Sequence, residues 1–417
     1  MMIHTRSLLI VASILILSFA SADDARAADD APQWFKGNLH THSLWSDGND
    51  FPEMITDWYA SRDYHFLAIS DHNILSKGEK WMNIRDINKR GNVYALDKYL
   101  KRFGEKWVEV RGEDPMKEIR LKGLEEFRGK FEKPGKFLLI QGEEITDKFG
   151  SQPVHMNATN IQQLIKPQGG KSVQEVIRNN IKQVIEQSEK TGKPILAHLN
   201  HPNFGYGVTA EDIAHVVEEQ FFEVFNGHPG VNQTGDAKRP GIDMLWDIAN
   251  TIRIDKLNAA PLYGLGTDDS HHYHNIKGDA LAAKRSEPGR AWVMVRAKKL
   301  DAESLIEAMK QGDFYASTGV TLKDISLKDG VLTLEIAPDA DATFETHFIG
   351  TKKGSTDIGE VLAKVDGVKP SYKLKGDELY VRALVISSKS PPNPTIKDQK
   401  EQAWTQPVGW QKHLKKE

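Results

Sequence analysis

Cysteine is missing from all 417 residues of this chain. Its absence excludes disulfides and thiolate metal ligands, so any transition-metal site here must use histidine and carboxylate. An excess of either charge is also missing, since 55 Lys and Arg stand against 58 Asp and Glu, a net charge of −3. So weak a field gives no reason to expect nucleic acid or an anionic membrane surface as a partner. No internal repeat is visible. Beyond residue 20 there is no apolar run long enough to span a bilayer.

The one long apolar run lies at the N-terminus. Arg6 precedes Ser7–Ala20, and small-residue patterns follow at Ala20-Ser21-Ala22 and Ala25-Arg26-Ala27. Residues 1–27 read as a secretory signal peptide, and the run is short for a membrane anchor. The expectation is a periplasmic or secreted protein with no membrane span after signal removal. An exported chain of this size without disulfides fits a bacterial periplasm.

What the sequence does have is histidine in a repeated setting. His40 and His42 lie two residues apart in Gly37-Asn38-Leu39-His40-Thr41-His42, and on a strand both imidazoles would share a face. Asp47 follows in a Ser-Asp-Gly turn and can reach back over the strand end. Further short apolar runs end in the same polar chemistry. Phe66–Ser70 runs into Asp71-His72, and Phe137–Ile140 into Gly142-Glu143-Glu144. Pro194–Ala197 runs into His198 and His201-Pro202, Phe221–Phe225 into Asn226-Gly227-His228, and Leu262–Gly266 into Asp269 and His271-His272. His155 lies in a short strand-like stretch, Val154–Asn157.

Helical spacing separates these runs, as over Val173–Thr191. Strands alternating with helices predict a parallel sheet, and polar residues gathered at strand C-terminal ends predict a β/α-barrel active face. Scattered core histidines would not be distributed this way. Neutral imidazole with carboxylate suits Zn, Mn or Fe, and so many donors together suit a polynuclear site.

A charged segment at about residues 76–133 interrupts the rhythm and reads as exposed helices and loops inserted after His72, either a plain surface insertion or a lid. After about Val320 the texture changes to alternating runs, Asp324–Leu327, Val331–Ile336, Thr343–Ile349 and Leu379–Ile386, with turn signals such as Asp329-Gly330. These predict a small antiparallel, sandwich-like β-domain, with Pro391-Pro392-Asn393-Pro394 as a loop. It carries no catalytic constellation and is expected to be structural or a partner surface.

The order His40-x-His42, Asp47, Asp71-His72, Gly142-x-Glu144, His155, His201-Pro202 and Asp269-x-His271 resembles the polymerase and histidinol phosphatase (PHP) family over roughly residues 34–318. The resemblance implies an α/β fold, a distorted (β/α)7 TIM-like barrel. The expected organisation is a barrel over residues 28–320 and the β-domain over 321–417. It implies His40, His42, Asp47, His72, Glu144, His155, His201, Asp269 and His271 as metal ligands. His201 is preferred to His198 because the following proline matches the family's His-Pro. Glu223 is expected behind the ligands, and Glu143 competes with Glu144.

A metal site of this kind lowers the pKa of bound water from about 15.7 toward ~7, so a metal-bridging hydroxide is the expected nucleophile. Asp71 is expected to orient His72, and His228 and His272 are candidates for protonating a leaving oxygen. Arg285 and Arg290 can clamp phosphate but read as surface residues.

Three readings remain. The first is a phosphoesterase acting on a small phosphorylated molecule, a monoester or diester. The second is an amide, carbamate or ester hydrolase using the same site, since fold does not fix chemistry. The third is a non-catalytic metal-binding protein. Histidinol phosphate itself is disfavoured, because histidine biosynthesis is cytosolic and this chain reads as exported.

Overall fold

Short apolar runs bounded by turns become strands here, and amphipathic stretches become the helices that cover them. The computed structural model describes residues 31–91, 94–274, 276 and 284–415. The proposed signal peptide, residues 1–27, lies outside them. Among the described residues no helix is long and apolar enough to cross a membrane.

Nineteen strands are present among the described residues. They are β1 (Gln33–Asn38), β2 (Phe66–Ile69), β3 (Lys80–Asn83), β4 (Val110–Arg111), β5 (Glu118–Leu121), β6 (Leu138–Phe149), β7 (Gln152–Thr159), β8 (Leu196–Leu199), β9 (Phe221–Asn226), β10 (Tyr263–Thr267), β11 (Trp292–Ala297), β12 (Phe314–Ser317), β13 (Leu322–Lys328), β14 (Val331–Ile336), β15 (Phe344–Lys352), β16 (Glu360–Asp366), β17 (Ser371–Lys373), β18 (Glu378–Ser387) and β19 (Gln402–Thr405). Thirteen form one sheet in the order β10-β9-β8-β7-β6-β2-β1-β11-β12-β19-β18-β15-β16.

This is a mixed α/β protein, but the expected barrel is not what the ladder shows. The sheet is open, running from β10 at one edge to β16 at the other. β10 and β1 approach at their C-terminal ends through a single parallel bridge, Thr41 to Ser270, with the His42 N–H donating to the Ser270 carbonyl at 3.0 Å. A second departure is β7, which runs antiparallel between β6 and β8. It arises because β6 is long. Its first third pairs with β2 as far as Gln141, and from Gly142 it forms a hairpin with β7. Gly142 is required at the crossover, since a Cβ there would stand 3.0 Å from the Ile69 carbonyl oxygen.

Helix α1 (Pro52–Ala60) packs beside β2, and α2 (Ile84–Gly91), α3 (Ala95–Phe103) and α4 (Leu124–Phe131) follow in the insertion. α5 (Val173–Thr191) has the boundaries its periodicity predicts. Ser172 caps it by accepting the Glu175 N–H, left-handed Gly192 ends it, and Val176, Ile177, Ile181 and Val184 are buried. α6 (Ala210–His215), α7 (Ile242–Asp255) and α8 (Ala302–Lys310) complete the helices described.

The insertion is more than helices and loops. It adds a three-stranded sheet, β3-β5-β4, and a core in which Ile84, Ile87, Tyr99, Ile119 and Leu121 pack with Leu44, Trp45 and Phe51. It is therefore welded by apolar contact to the turn that carries Asp47.

Leu332, Leu334, Phe348, Tyr372, Val381 and Val385 form one buried cluster shared by the three-stranded sheet β13-β14-β17 and the β18-β15-β16 end of the large sheet. The C-terminal strands continue that large sheet, because β19 pairs with both β12 and β18. Just beyond β19, Gln406 accepts from the Gly264 N–H at 2.8 Å and donates to its carbonyl at 2.9 Å, sealing part of β10. Residues Gln33–Glu417 form one compact unit.

Candidate metal centre

The site is assembled largely where the parallel strands end, with Glu144 supplied from the middle of β6 and His155 from within antiparallel β7. β1 delivers His40 and His42, β2 His72, β6 Glu144, β7 His155, β8 His198 and His201, β9 Glu223, and β10 Asp269 and His271. His72 and Glu144 are joined by a parallel backbone bridge. His201 and Asp269 both have left-handed backbone, φ 20° and 46°, which turns each back over its strand end.

Glu144 lies at the middle. Its Oε2 is 3.1 Å from His40 Nε2, from His42 Nε2 and from His72 Nδ1, while its Oε1 is 2.9 Å from His155 Nδ1 and 3.6 Å from His201 Nε2. Asp269 Oδ1 is 3.3 Å from His40 Nε2 and 3.2 Å from His42 Nε2, and its Oδ2 is 3.9 Å from His201 Nε2. Asp47, half-exposed, places Oδ1 3.4 Å from His271 Nε2 and Oδ2 3.5 Å from His72 Nε2.

Several overlapping groups could each hold a cation: His42, Asp47, His72 and His271; His40, His42 and Glu144; Glu144, His155 and His201; and His40, His198 and Glu223. All nine residues that the family resemblance implies as ligands converge on one place. His198 lies behind Glu223, at 3.5 Å, whereas His201 faces Glu144.

The fit to metal rests on a property of this centre. Among the described residues, both ring nitrogens of His42 and Nδ1 of His155 are buried without a partner in hydrogen-bond geometry. Buried polar atoms in native proteins are normally satisfied. Here several nitrogens crowd single carboxylate oxygens, a pattern that cations shared between them would satisfy and hydrogen bonds do not. Nitrogen and oxygen donors without sulfur suit Zn, Mn or Fe.

Electrostatics follow from the same crowding. Burial disfavours the charged form of His40, but the carboxylates of Asp269, Glu223 and Glu144 outweigh it and hold the imidazole well above its usual range. Burial likewise opposes ionisation of Glu144, yet His72, His40, His155 and His201 hold it well below the ordinary carboxylate range. Asp269 is lowered in the same way against burial, chiefly by His40 and His42. Burial dominates at His155 and lowers it.

A supporting layer was mostly invisible in the sequence. Glu223 Oε1 is 2.7 Å from His40 Nδ1, and its Oε2 accepts the His201 N–H at 2.8 Å. Thr267 and Asn226 donate to Glu223 at 2.8 and 2.7 Å, and Asn200 donates to Glu144 at 3.0 Å. Asn200, Asn226 and Thr267 stand at the very strand ends that carry ligands, the one signal that could have found them.

Asp71 behaves differently from expectation. Its carboxylate does not orient His72. It accepts from the backbone N–H groups of Ser43 and Ser46 at 2.8 and 3.0 Å and from their hydroxyls at 2.7 and 2.6 Å, fixing the turn that ends in Asp47. Thr146 takes the role at His72 instead, beside its Nδ1. Glu143 points away from the centre and accepts the Ile165 N–H at 2.9 Å.

Arg290 is buried rather than superficial, donating to the Gly227 carbonyl at 2.6 Å, with Asn393 3.4 Å away. Arg285 pairs with Glu287. Neither arginine is placed as a phosphate clamp by these contacts. His228 accepts the Gly230 N–H on Nδ1 at 3.0 Å, so its Nε2 carries the proton of the neutral ring, and burial pushes it down to about 4. Its ring stands 5.5 Å from that of His271. His272 Nδ1 accepts the Ser286 N–H at 3.1 Å.

On one side the mouth is apolar, with the Phe204 ring 5.1 Å from His201 and 5.9 Å from His228. On the other side the insertion brings Arg90 and Lys80 to the Ser46 and Trp45 carbonyls beside Asp47.

No family model matches the chain, and no curated protein matches it. Among solved structures it is similar to a two-domain protein from Bacteroides vulgatus containing a predicted PHP-like metal-dependent phosphoesterase. That likeness has 15% identity and a TM-score of 0.40, covering 90% of this chain and 96% of that one. It is similar to PsfC from Pseudomonas syringae at 10% identity and TM-score 0.34, covering 66% and 88% of the two chains. It is also similar to an amidohydrolase from Chromobacterium violaceum at 14% identity and TM-score 0.27, covering 57% and 88%. At these scores the likenesses decide neither fold nor activity.

Proposed function

We propose that this chain is a metal-dependent hydrolase of the PHP type, acting on a small phosphorylated substrate. The observation that carries the reading is the convergence of His40, His42, Asp47, His72, Glu144, His155, His201, Asp269 and His271 on one centre with buried, unpartnered ring nitrogens. Those nine residues would hold two or three divalent ions. When bound, such ions lower the pKa of water and polarise a phosphoryl oxygen.

The chain's own residues supply orientation. Glu223 fixes the tautomer of His40, with the proton on Nδ1 and Nε2 turned toward Glu144 and Asp269. Asp71 sets Asp47 through the Ser43–Ser46 turn. His228, neutral with its proton on Nε2, is suited to donate a hydrogen bond to a substrate oxygen rather than to act as a strong acid. Arg90 and Lys80 place positive charge at the rim, where an anionic substrate would enter.

The second reading keeps the site and changes the bond to an amide, carbamate or ester. Phe204 favours it, as an apolar wall beside His201 and His228. Export to a periplasm or to the medium belongs to the same proposal, supported by the N-terminal run of residues 7–20.

The test is hydrolysis of p-nitrophenyl phosphate, bis(p-nitrophenyl) phosphate and p-nitrophenyl acetate side by side, with metal content determined on the same sample. Turnover of a phosphate ester with two or three ions per chain is expected. Turnover of the acetate alone would favour the second reading. A metallated but inert protein would remove both, and a chain that takes up no metal would remove the centre itself.

A further inference from the structure

On the outer face of β1, away from the metal centre, lies a cavity of about 600 Å³ whose walls include Lys36, Trp58, Arg62, Tyr64, Gly289 and Trp292. Three aromatic rings and two cations share it, with Glu401 as the one acid among the described lining residues. The Lys36 ammonium sits 4.1 Å from the centroid of Tyr64 and 3.9 Å from that of Trp292. Among the described residues it has neither a hydrogen bond nor an ion pair. Arg62 lies over Trp58, 4.5 Å from its centroid.

A second observation is independent of the charges. Tyr64 is 3% exposed, and its hydroxyl is buried with no hydrogen-bond partner among the described residues. Leaving such a group unmade is costly, so its donor calls for an acceptor. Cation–π contact supplies Lys36 with an attractive environment but no oxygen ligand. The cavity thus brings an ammonium and apolar walls together beside a buried phenol donor, while the carboxylates of Asp268 and Asp63 act on the ammonium from outside the lining.

We propose that this cavity is a second ligand site, taking a small organic anion with a flat apolar body. The carboxylate or phosphate oxygens accept from Lys36 Nζ and the Tyr64 hydroxyl, and the body packs on Trp58 and Trp292. Burial lowers Lys36 to about 8, and a bound anion raises it again, so occupation and protonation reinforce one another. Gly289 is needed in the wall, because its φ is +85° and a Cβ there would meet the Trp58 ring at 2.9 Å. Its N–H donates to Asp268 at 2.9 Å, so the wall is anchored on the residue next to Asp269.

The probes are benzoate, which the proposed chemistry cannot hydrolyse, and acetate, which has the anion without the body. Saturable binding of benzoate to the metal-loaded protein is read by calorimetry and by saturation transfer to the ring protons. Benzoate is expected to bind at least ten-fold tighter than acetate. Lys36→Met should weaken it ten-fold or more and Tyr64→Phe several-fold, and His40→Ala should leave it unchanged.

A further readout needs no variant. Benzoate should slow trinitrophenylation of Lys36 by trinitrobenzenesulfonate, followed by peptide mass mapping. Absence of benzoate binding, equal binding in Lys36→Met and Tyr64→Phe, loss of binding in His40→Ala, or unprotected Lys36 at saturating benzoate would each overturn the proposal.

Discussion

Glu223 grips His40 from behind, with 2.7 Å between Glu223 Oε1 and His40 Nδ1, while its other oxygen holds the backbone N–H of His201. One buried carboxylate therefore orients two proposed ligands from different strands. Glu223→Gln keeps the shape but turns an amide donor toward Asn226, Thr267 or the His201 N–H. Metal affinity is expected to fall roughly 10–100-fold. A competition titration against a chelator measures it, and unchanged affinity would remove Glu223 from the supporting layer.

His40→Ala and Asp269→Ala should each lose metal and activity while far-UV circular dichroism stays that of the wild type. Both side chains touch Glu144 or the imidazoles around it but form no part of the sheet ladder. Full activity in either variant would sink the assignment of the centre.

Stability should respond to pH at a place remote from the site. Glu219 precedes β9 at the end opposite the ligands. Its Oε1 accepts the N–H groups of Gln220 and Phe221, both at 2.9 Å, and its Oε2 has no partner among the described residues. Burial raises it to about 8. A raised carboxyl means the native state holds a proton that the unfolded chain releases near pH 4.3. Stability from this group is fully present below about pH 4.3 and is lost progressively as pH rises from there to about 8, by up to roughly 1.4 kcal/mol per pH unit. Glu219→Gln keeps the acceptor and removes the titration. Its melting temperature should exceed the wild type's at pH 8 and draw level near pH 4.5, and parallel curves would refute the assignment.

Arg382 of β18 forms a two-pronged pair with Asp247 of α7 at 2.9 and 2.7 Å, packed over the Trp246 ring at 4.7 Å, and Tyr380 donates to the same carboxylate at 2.8 Å. Arg382→Leu strands a buried aspartate and should cost about 3–5 kcal/mol in denaturant unfolding. A single cooperative transition is expected in both proteins, because β18 and the ligand-bearing strands share one sheet. Two separated transitions would show that the C-terminal strands unfold alone.

The grouping of the proposed ligands was legible because its signal is local. His-x-His, Asp-x-His and a carboxylate after an apolar run each lie within a few residues, and strand geometry does the rest. The alternation over Val173–Thr191 and Val331–Ile336 gave α5 and β14 for the same reason.

What was missed depends on residues far apart. Asp71 turned toward Ser43 and Ser46 rather than its neighbour His72, and Arg290 was drawn inward by the Gly227 carbonyl, 63 positions away. Periodicity reports which face of a strand is buried. It does not report whether β10 rejoins β1, nor that β6 is long enough to change partners at Gly142.

The placement of β19 has a consequence in time. The chain leaves β12 at Ser317, builds β13 through β18, and only then returns at Gln402 to lie beside β12. Contacts of such sequence separation form slowly, since a long loop must be ordered before they reward it. Until that return, β12 presents an unpaired edge and Gly264 lacks the Gln406 amide. Refolding chains are therefore most prone to stick to one another along β12, and the seal over β10 is among the last parts of the protein to set.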